Sequence, residues 1–282
     1  MTKYMFREKL HDAVYGLALG DALGVPYEFM ERGAYECKEM TGYGTHNQPA
    51  GTWSDDTSMT LGTLKSLKDN DGKVDIEDIR KNFLLWLNEE EFTAGGRLFD
   101  IGGTTINALT TGVPGTGPRS NGNGSLMRIL PLAFTDCTDD EIRAVSAITH
   151  GHEISMEACV IYVHAARRLL QGEKIEDILP TLEYGKPFDR LSRLGELTED
   201  EISTSGYVVS TLEAALWSLT DHGCVEGFRE RLLRIVNMGD DTDTACAAAG
   251  GLLGIVYDLG SSGCDDWMEI LKNKELIDDC IG

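Results

Sequence analysis

Two aspartate clusters carry the strongest chemical signal in this 282-residue chain: Ser54-Asp55-Asp56-Thr57 near its start and Asp240-Asp241-Thr242-Asp243-Thr244 near its end. Each opens a stretch with helical patterning. Acidic residues there complement the helix dipole, and serine is a favoured N-cap, but capping needs fewer carboxylates than these. If the fold unites the clusters, four or five carboxylates share one small volume. Like charges that close are costly, and bound cations relieve the repulsion without protonation. Donor sets made of oxygen select hard divalent ions, Mg2+, Mn2+ or Ca2+, over zinc or copper. These residues predict a metal site, with two ions, and hence an enzyme.

The second cluster is the more specific. It runs into Ala245-Cys246-Ala247-Ala248-Ala249-Gly250-Gly251, a small-residue helix that must pack closely, so its N-terminus is expected to be buried. Buried aspartates need cations or many donors. An EF-hand loop does not fit: counted from Asp241, the sixth position is Cys246 instead of Gly and the twelfth is Leu252 instead of Glu.

Three further stretches have an ordinary reading beside a chemical one. Ser120-Asn121-Gly122-Asn123-Gly124-Ser125, followed by Leu126-Met127-Arg128, reads as a glycine-rich turn opening a helix, with N–H groups for a phosphate. It lacks the Walker Gly-Lys-Ser/Thr and no strand precedes it, and it equally suits a plain turn with Asn and Gly in left-handed conformations. Glu28 follows a Gly-x-Pro that ends a helix, where a lone glutamate is expected on solvated surface. His150 and His152 are expected as cationic caps ending a helix over 138–149.

The elements that must position these residues are helical. Apolar spacing predicts helices over 6–23, 57–69, 75–88 (Asp75 as N-cap), 138–149 (Thr138 to Glu141 as a capping box), 154–171, 205–220, 225–237 and 242–259. Loops are expected at 40–53, 93–103, 112–124 and 184–206. Tyr207-Val208-Val209 is β-prone but sits in a helical context, and no alternating strand is evident. A site uniting residues from both ends requires one interwoven unit, so residues 1–282 are read as a single all-α domain.

Asp plus Glu total 47 against 25 Lys plus Arg, a net charge of −22. That balance argues against nucleic-acid and anionic-membrane partners. The seven cysteines are scattered without a C-x-x-C pair, so neither a disulfide framework nor a thiolate metal site is expected. With a charged start lacking the apolar core of a signal peptide and no long apolar run, the expected location is cytoplasmic.

Taken together, these pieces resemble the ADP-ribosylglycohydrolase family, which includes the dinitrogenase-reductase-activating glycohydrolases and the ADP-ribosyl-acceptor hydrolases. The matching stretches are Gly16 through Phe29, Thr52 through Thr57, Asp100-Ile101-Gly102 with Thr104-Thr105, Gly122 through Arg128, Thr149-His150, and Gly239 through Thr244. They span nearly the whole chain in order. The resemblance implies an all-α fold with two divalent ions, Mg2+ or Mn2+, held by Ser54, Asp55, Asp56, Asp241, Asp243 and Thr244. It implies catalytic roles for Glu28, Asp56 and Asp100. It places a pyrophosphate on Ser120, Asn121, Gly122, Asn123, Gly124 and Ser125, with Met127 and His150 also touching the ligand. One departure stands out: the family usually has Gly-Gly-Asp-Thr-Asp-Thr, and here Asp240 replaces the second glycine, adding a carboxylate beside the metals.

The implied activity is removal of ADP-ribose from a protein side chain, foremost arginine, by cleaving the N-glycosidic bond. The implied partners are thus an ADP-ribosylated protein or an ADP-ribosyl small molecule. The alternatives are hydrolysis of another ADP-ribosyl substrate, serine-linked or a small metabolite, and a catalytically silent ADP-ribose-binding member. All six ligand positions are filled, which counts against the silent reading.

Overall fold

The computed structural model describes residues 3–221 and 227–282. Cys224 and the first two residues of the helix expected over 225–237 lie outside the described residues. The helices are α1 (Lys3–Gly24), α2 (Asp55–Asp69), α3 (Ile76–Glu89), α4 (Gly103–Thr111), α5 (Asp139–Ser146), α6 (Glu153–Leu170), α7 (Ile175–Ile178), α8 (Val208–Trp217), α9 (Phe228–Val236), α10 (Thr242–Val256), α11 (Asp265–Ile270) and α12 (Lys274–Ile281). Among the described residues there is no sheet, only isolated bridges such as Met30 with Asp240 and Gly122 with Tyr207. The β-prone Tyr207 makes that one bridge and then serves as N-cap of α8.

The centre of the molecule is the antiparallel pair α1–α10. Gly16, Gly20 and Gly24 lie at four-residue spacing on α1. A Cβ added at these positions would collide with the backbone of Gly250, Cys246 and Asp243 in turn, and one at Gly254 with the backbone of Asp12. The helices therefore meet backbone to backbone, which only glycine permits. The pairing order fixes the geometry: the C-terminal end of α1 lies beside the N-terminal end of α10. Around this pair one continuous apolar cluster includes Trp53, Trp86, Trp217 and Trp267, all buried.

The capping expectations hold where they are local. Ser54 accepts from Asp56 N–H at 3.3 Å, Asp75 from Asp78 N–H at 3.0 Å, and Thr138 and Glu141 close a capping box. Two other local expectations fail. Helix α5 stops at Ser146, so His150 does not cap it, and His152 instead caps the start of α6, its Nδ1 accepting from Ile154 N–H at 3.2 Å. The 120–125 loop opens no α-helix: turns follow, then a short 3-10 segment Leu130–Phe134 with Pro131 near its start.

Candidate active site

The site forms where α1 ends and α2 and α10 begin. Asp21, in the last turns of α1, is fully buried and accepts four hydrogen bonds from the start of α2: Ser54 N–H at 2.8 and 3.0 Å, Thr57 N–H at 3.0 Å and the Thr57 hydroxyl at 2.6 Å. This clamp brings the first aspartate cluster to the end of α1. Close packing of α1 on α10 brings the second, and the Thr242 hydroxyl bonds Gly24 O at 2.8 Å. Phe29 N–H to Asp240 O at 2.7 Å and Asp240 N–H to Met30 O at 2.8 Å then fasten the Glu28 loop beside α10.

Two tight groups result. Oxygens or nitrogens of Glu28, His46, Asp100 and Asp243 lie within 4.8 Å of one another, as do those of Asp21, Asp56 and Asp243. Asp243, shared between them, is 1% exposed and Asp56 is 0%. Asp55 falls in neither tight group, yet it is buried and feels the charges of Asp100, Asp56, Asp21 and Glu28. The Ser54 and Thr244 hydroxyls both reach Asp56 Oδ2, at 2.9 and 3.5 Å. Asp241 sits at the rim, its Oδ2 accepting from Asn123 Nδ2 at 3.0 Å.

Burial in this crowd drives the carboxyl groups up. Asp55, Asp56 and Asp243 lie well above the usual range, first through desolvation and then through one another's charge. Asp21 is raised to about 6 by burial, against the pull of its hydrogen bonds. Glu28, expected on the surface, is 5% exposed, and burial raises it to about 7 while its hydrogen bond with His46 Nε2 opposes the rise. That same bond raises His46. Asp100 is raised by burial, with His46 opposing.

The donor set passes a test for divalent ions. Asp56 Oδ1, Asp241 Oδ1 and Asp243 Oδ2 are buried with no hydrogen-bond partner. An unpaired buried carboxylate oxygen is costly. Hard cations satisfy such oxygens, and this nearly all-oxygen set suits a hard divalent ion such as Mg2+, Mn2+ or Ca2+.

The glycine-rich loop lies beside this cluster. Asn123 anchors it through Asn123 N–H to Gly206 O at 3.1 Å and Nδ2 to the Thr211 hydroxyl at 3.0 Å. A Cβ at Gly124 would approach within 2.8 Å of His150 Cε1, so the glycine lets the loop rest on the imidazole. Ser125 and Met127 lie underneath, buried: Ser125 Oγ is bonded to Ser146 Oγ at 2.9 Å, and neither side chain is on the open face. Ser120, Asn121, Gly122 and Gly124 are half-buried at the surface of the loop.

His150 is held from behind. Buried Arg128 stacks over Phe83 at 4.6 Å and donates to the Thr149 hydroxyl at 3.0 Å, which lies 2.9 Å from His150 Nδ1. A hydroxyl that receives Arg128's proton has Nδ1 as acceptor for its own, leaving the ring proton on Nε2. Burial, and then the nearby Arg128 charge, push His150 down to about 3, so the ring is neutral at physiological pH.

Asp240 is a correction. Its side chain is exposed and joins neither tight group. Its backbone has φ +58°, a region where glycine is the default and Asp among the better-tolerated alternatives. Two further residues of the site carry little signal in the sequence. Asp21 was visible only as a lone carboxylate in an apolar helix. His46 had no signal at all, lying in a loop that tertiary packing folds back onto Glu28.

The helical fold and the buried carboxylates at the joined helix ends define an acidic site of the kind that holds divalent ions. The chain belongs to the ADP-ribosylglycohydrolase family, whose sequence profile matches residues 2–281. It is 33% identical over 286 residues to the ADP-ribosylarginine hydrolase Tri1 of Pseudomonas putida, covering 95% of this chain and 76% of that protein. It is 30% identical over 300 residues to the ADP-ribosyl-[dinitrogen reductase] glycohydrolase of Rhodospirillum rubrum, covering 97% and 94%. Among solved structures it resembles an ADP-ribosylglycohydrolase-related protein complex, with a TM-score of 0.81, 30% identity, and coverage of 99% and 97%. No helix among the described residues is long and apolar enough to cross a membrane.

Proposed function

We propose that this protein is a metal-dependent hydrolase that removes ADP-ribose from arginine side chains of modified proteins. The observation that carries this reading is the trio of unpaired buried oxygens on Asp56, Asp241 and Asp243, in a family whose similar member is named an ADP-ribosylarginine hydrolase. Two divalent ions, Mg2+ or Mn2+, would be held by Ser54, Asp55, Asp56, Asp241, Asp243 and Thr244. When bound, they supply positive charge that offsets the carboxylates and suits a ribose diol.

The rest is done by the chain's own groups. The open face of the 120–125 loop and the Nε2–H of neutral His150 offer donors to the pyrophosphate. Hydrolysis joins a water oxygen to the anomeric carbon, breaks the bond to the guanidinium nitrogen, and moves one proton to that nitrogen. Glu28, raised to about 7 and steadied by His46, is the acid–base group poised for this transfer. The carboxylates of Asp56 and Asp100 favour the oxocarbenium-like charge that develops at carbon.

Purified protein with Mg2+ or Mn2+ should release free ADP-ribose from an arginine-linked peptide in preference to serine-linked peptides and small ADP-ribosyl metabolites. Release from serine-linked peptide alone would refute the arginine assignment. Tight ADP-ribose binding without release from any substrate would make the chain a silent binder.

A further inference from the structure

Phe29 is the most exposed large apolar side chain among the described residues, at 69%, and it directly follows the buried Glu28. Its φ is +65°, a left-handed conformation that is strained for a bulky residue. No burial of the ring offsets this strain. The arrangement sends the acid inward and the ring outward at consecutive positions. The Phe29 ring centroid lies 6.1 Å from that of His46, and His46 lies 5.5 Å from the ring of Phe99. Phe99 in turn precedes Asp100, another left-handed residue at φ +53°. Each of the two carboxylates grouped around His46 on these loops thus has a phenyl neighbour in the chain, and the two rings flank the imidazole that steadies Glu28. Strain kept in place beside a reacting group points to function.

Resting on the reading of an ADP-ribosylarginine hydrolase, we infer that Phe29, backed by Phe99, forms the acceptor subsite, its ring lying against the guanidinium of the modified arginine. The chemistry of the substrate places that group here. The guanidinium is bonded to the anomeric carbon on which Glu28 acts, so it must lie beside Glu28. The adenine is two phosphates and a second ribose away. A planar, delocalised and weakly hydrated cation favours an aromatic face. A serine acceptor offers neither plane nor charge, so the ring discriminates between the two linkages.

The test compares kcat/KM on arginine-linked and serine-linked ADP-ribosyl peptides, the affinity for free ADP-ribose by calorimetry, and Tm, for wild type, Phe29→Ala, Phe29→Gly and Phe29→Tyr. Loss of one cation–π contact lowers kcat/KM on the arginine-linked peptide by roughly three- to thirtyfold. Phe29→Ala should show that loss mainly through KM, with the serine-linked rate and ADP-ribose affinity unchanged. Phe29→Tyr should retain activity, and Phe29→Gly should melt no lower than wild type, since glycine relieves the strain. Equal loss on both peptides, or no loss on either, overturns the subsite. A fall in affinity for free ADP-ribose assigns the ring to the nucleotide and also overturns it. Wild-type protein that leaves the arginine-linked peptide intact overturns the functional reading itself, an outcome distinct from any of these.

Discussion

The α1–α10 pair has two ends. At one, Glu28, Asp21, Asp56, Asp100 and Asp243 crowd around the end of α1 and the start of α10. At the other, the start of α1 and the end of α10 help line a groove of about 1330 Å³ with Phe6, Phe134, Leu170, Ile255 and Val256. The groove's charged side chains, among them Lys9, Glu173 and Lys174, are of mixed sign, and its one orphaned polar atom is Arg167 Nε. Among the described residues, all the buried carboxylate oxygens without a partner lie at the acidic end. Left-handed Phe29, Asp100 and Asp240 lie there too. Unpaired buried carboxylate oxygens, and not an open groove, mark the end fitted for chemistry.

Perturbing each end should separate them. Glu28→Gln keeps the shape of the side chain and removes its acid–base capacity, so kcat should fall by about 10²–10⁴-fold with ADP-ribose affinity little changed. Steady-state kinetics beside calorimetry checks this, and near-normal turnover would return Glu28 to a structural role. Next in size, Gly20→Ala drives a Cβ into the Cys246 carbonyl. Overpacking of this kind should cost about 1–3 kcal/mol in denaturant unfolding and, by prising apart the helices that position Glu28 and Asp243, lower activity as well.

A smaller effect concerns pH. Glu28 and Asp21 stand at about 7 and about 6 in the folded protein, against roughly 4 in an unfolded chain. The folded state therefore takes up protons first as pH falls. The stability this confers is full below the unfolded value and is lost as pH rises through 6 to 7. Asp55, Asp56 and Asp243 act in the same direction, and His150, held neutral, opposes them as a single group. Thermal melts of chelator-treated protein should show Tm rising on mild acidification, and Mg2+ or Mn2+ should remove that trend by holding the carboxylates ionised. The smallest effect belongs to the far end: Val256→Ser in the large groove should leave kcat/KM unchanged.

What was legible in the sequence follows the range of the forces involved. The caps at Ser54, Asp75 and Thr138 are local hydrogen bonds written in a few consecutive residues. The small-residue run after Asp243 announced a close helix contact, and the contact is there. The burial of Glu28 and of His150 was not legible, because each is created by distant chain: the Gly44–His46 turn over one, and Arg128 with the 120–125 loop over the other. Helices α11 and α12, of 6 and 8 residues, are too short to show apolar periodicity. The exposure of Asp240 depends on a backbone conformation that its side chain does not advertise.

The proposed dependence of the acidic end on divalent ions is open to one decisive measurement. Its most direct test is the release of ADP-ribose from an arginine-linked peptide by protein verified metal-free after chelation, followed by addition of Mg2+ or Mn2+, with Asp243→Ala alongside. The expected result is no turnover without metal, recovery on its return, and no recovery in a correctly folded Asp243→Ala variant. Full turnover by the metal-free protein would contradict it.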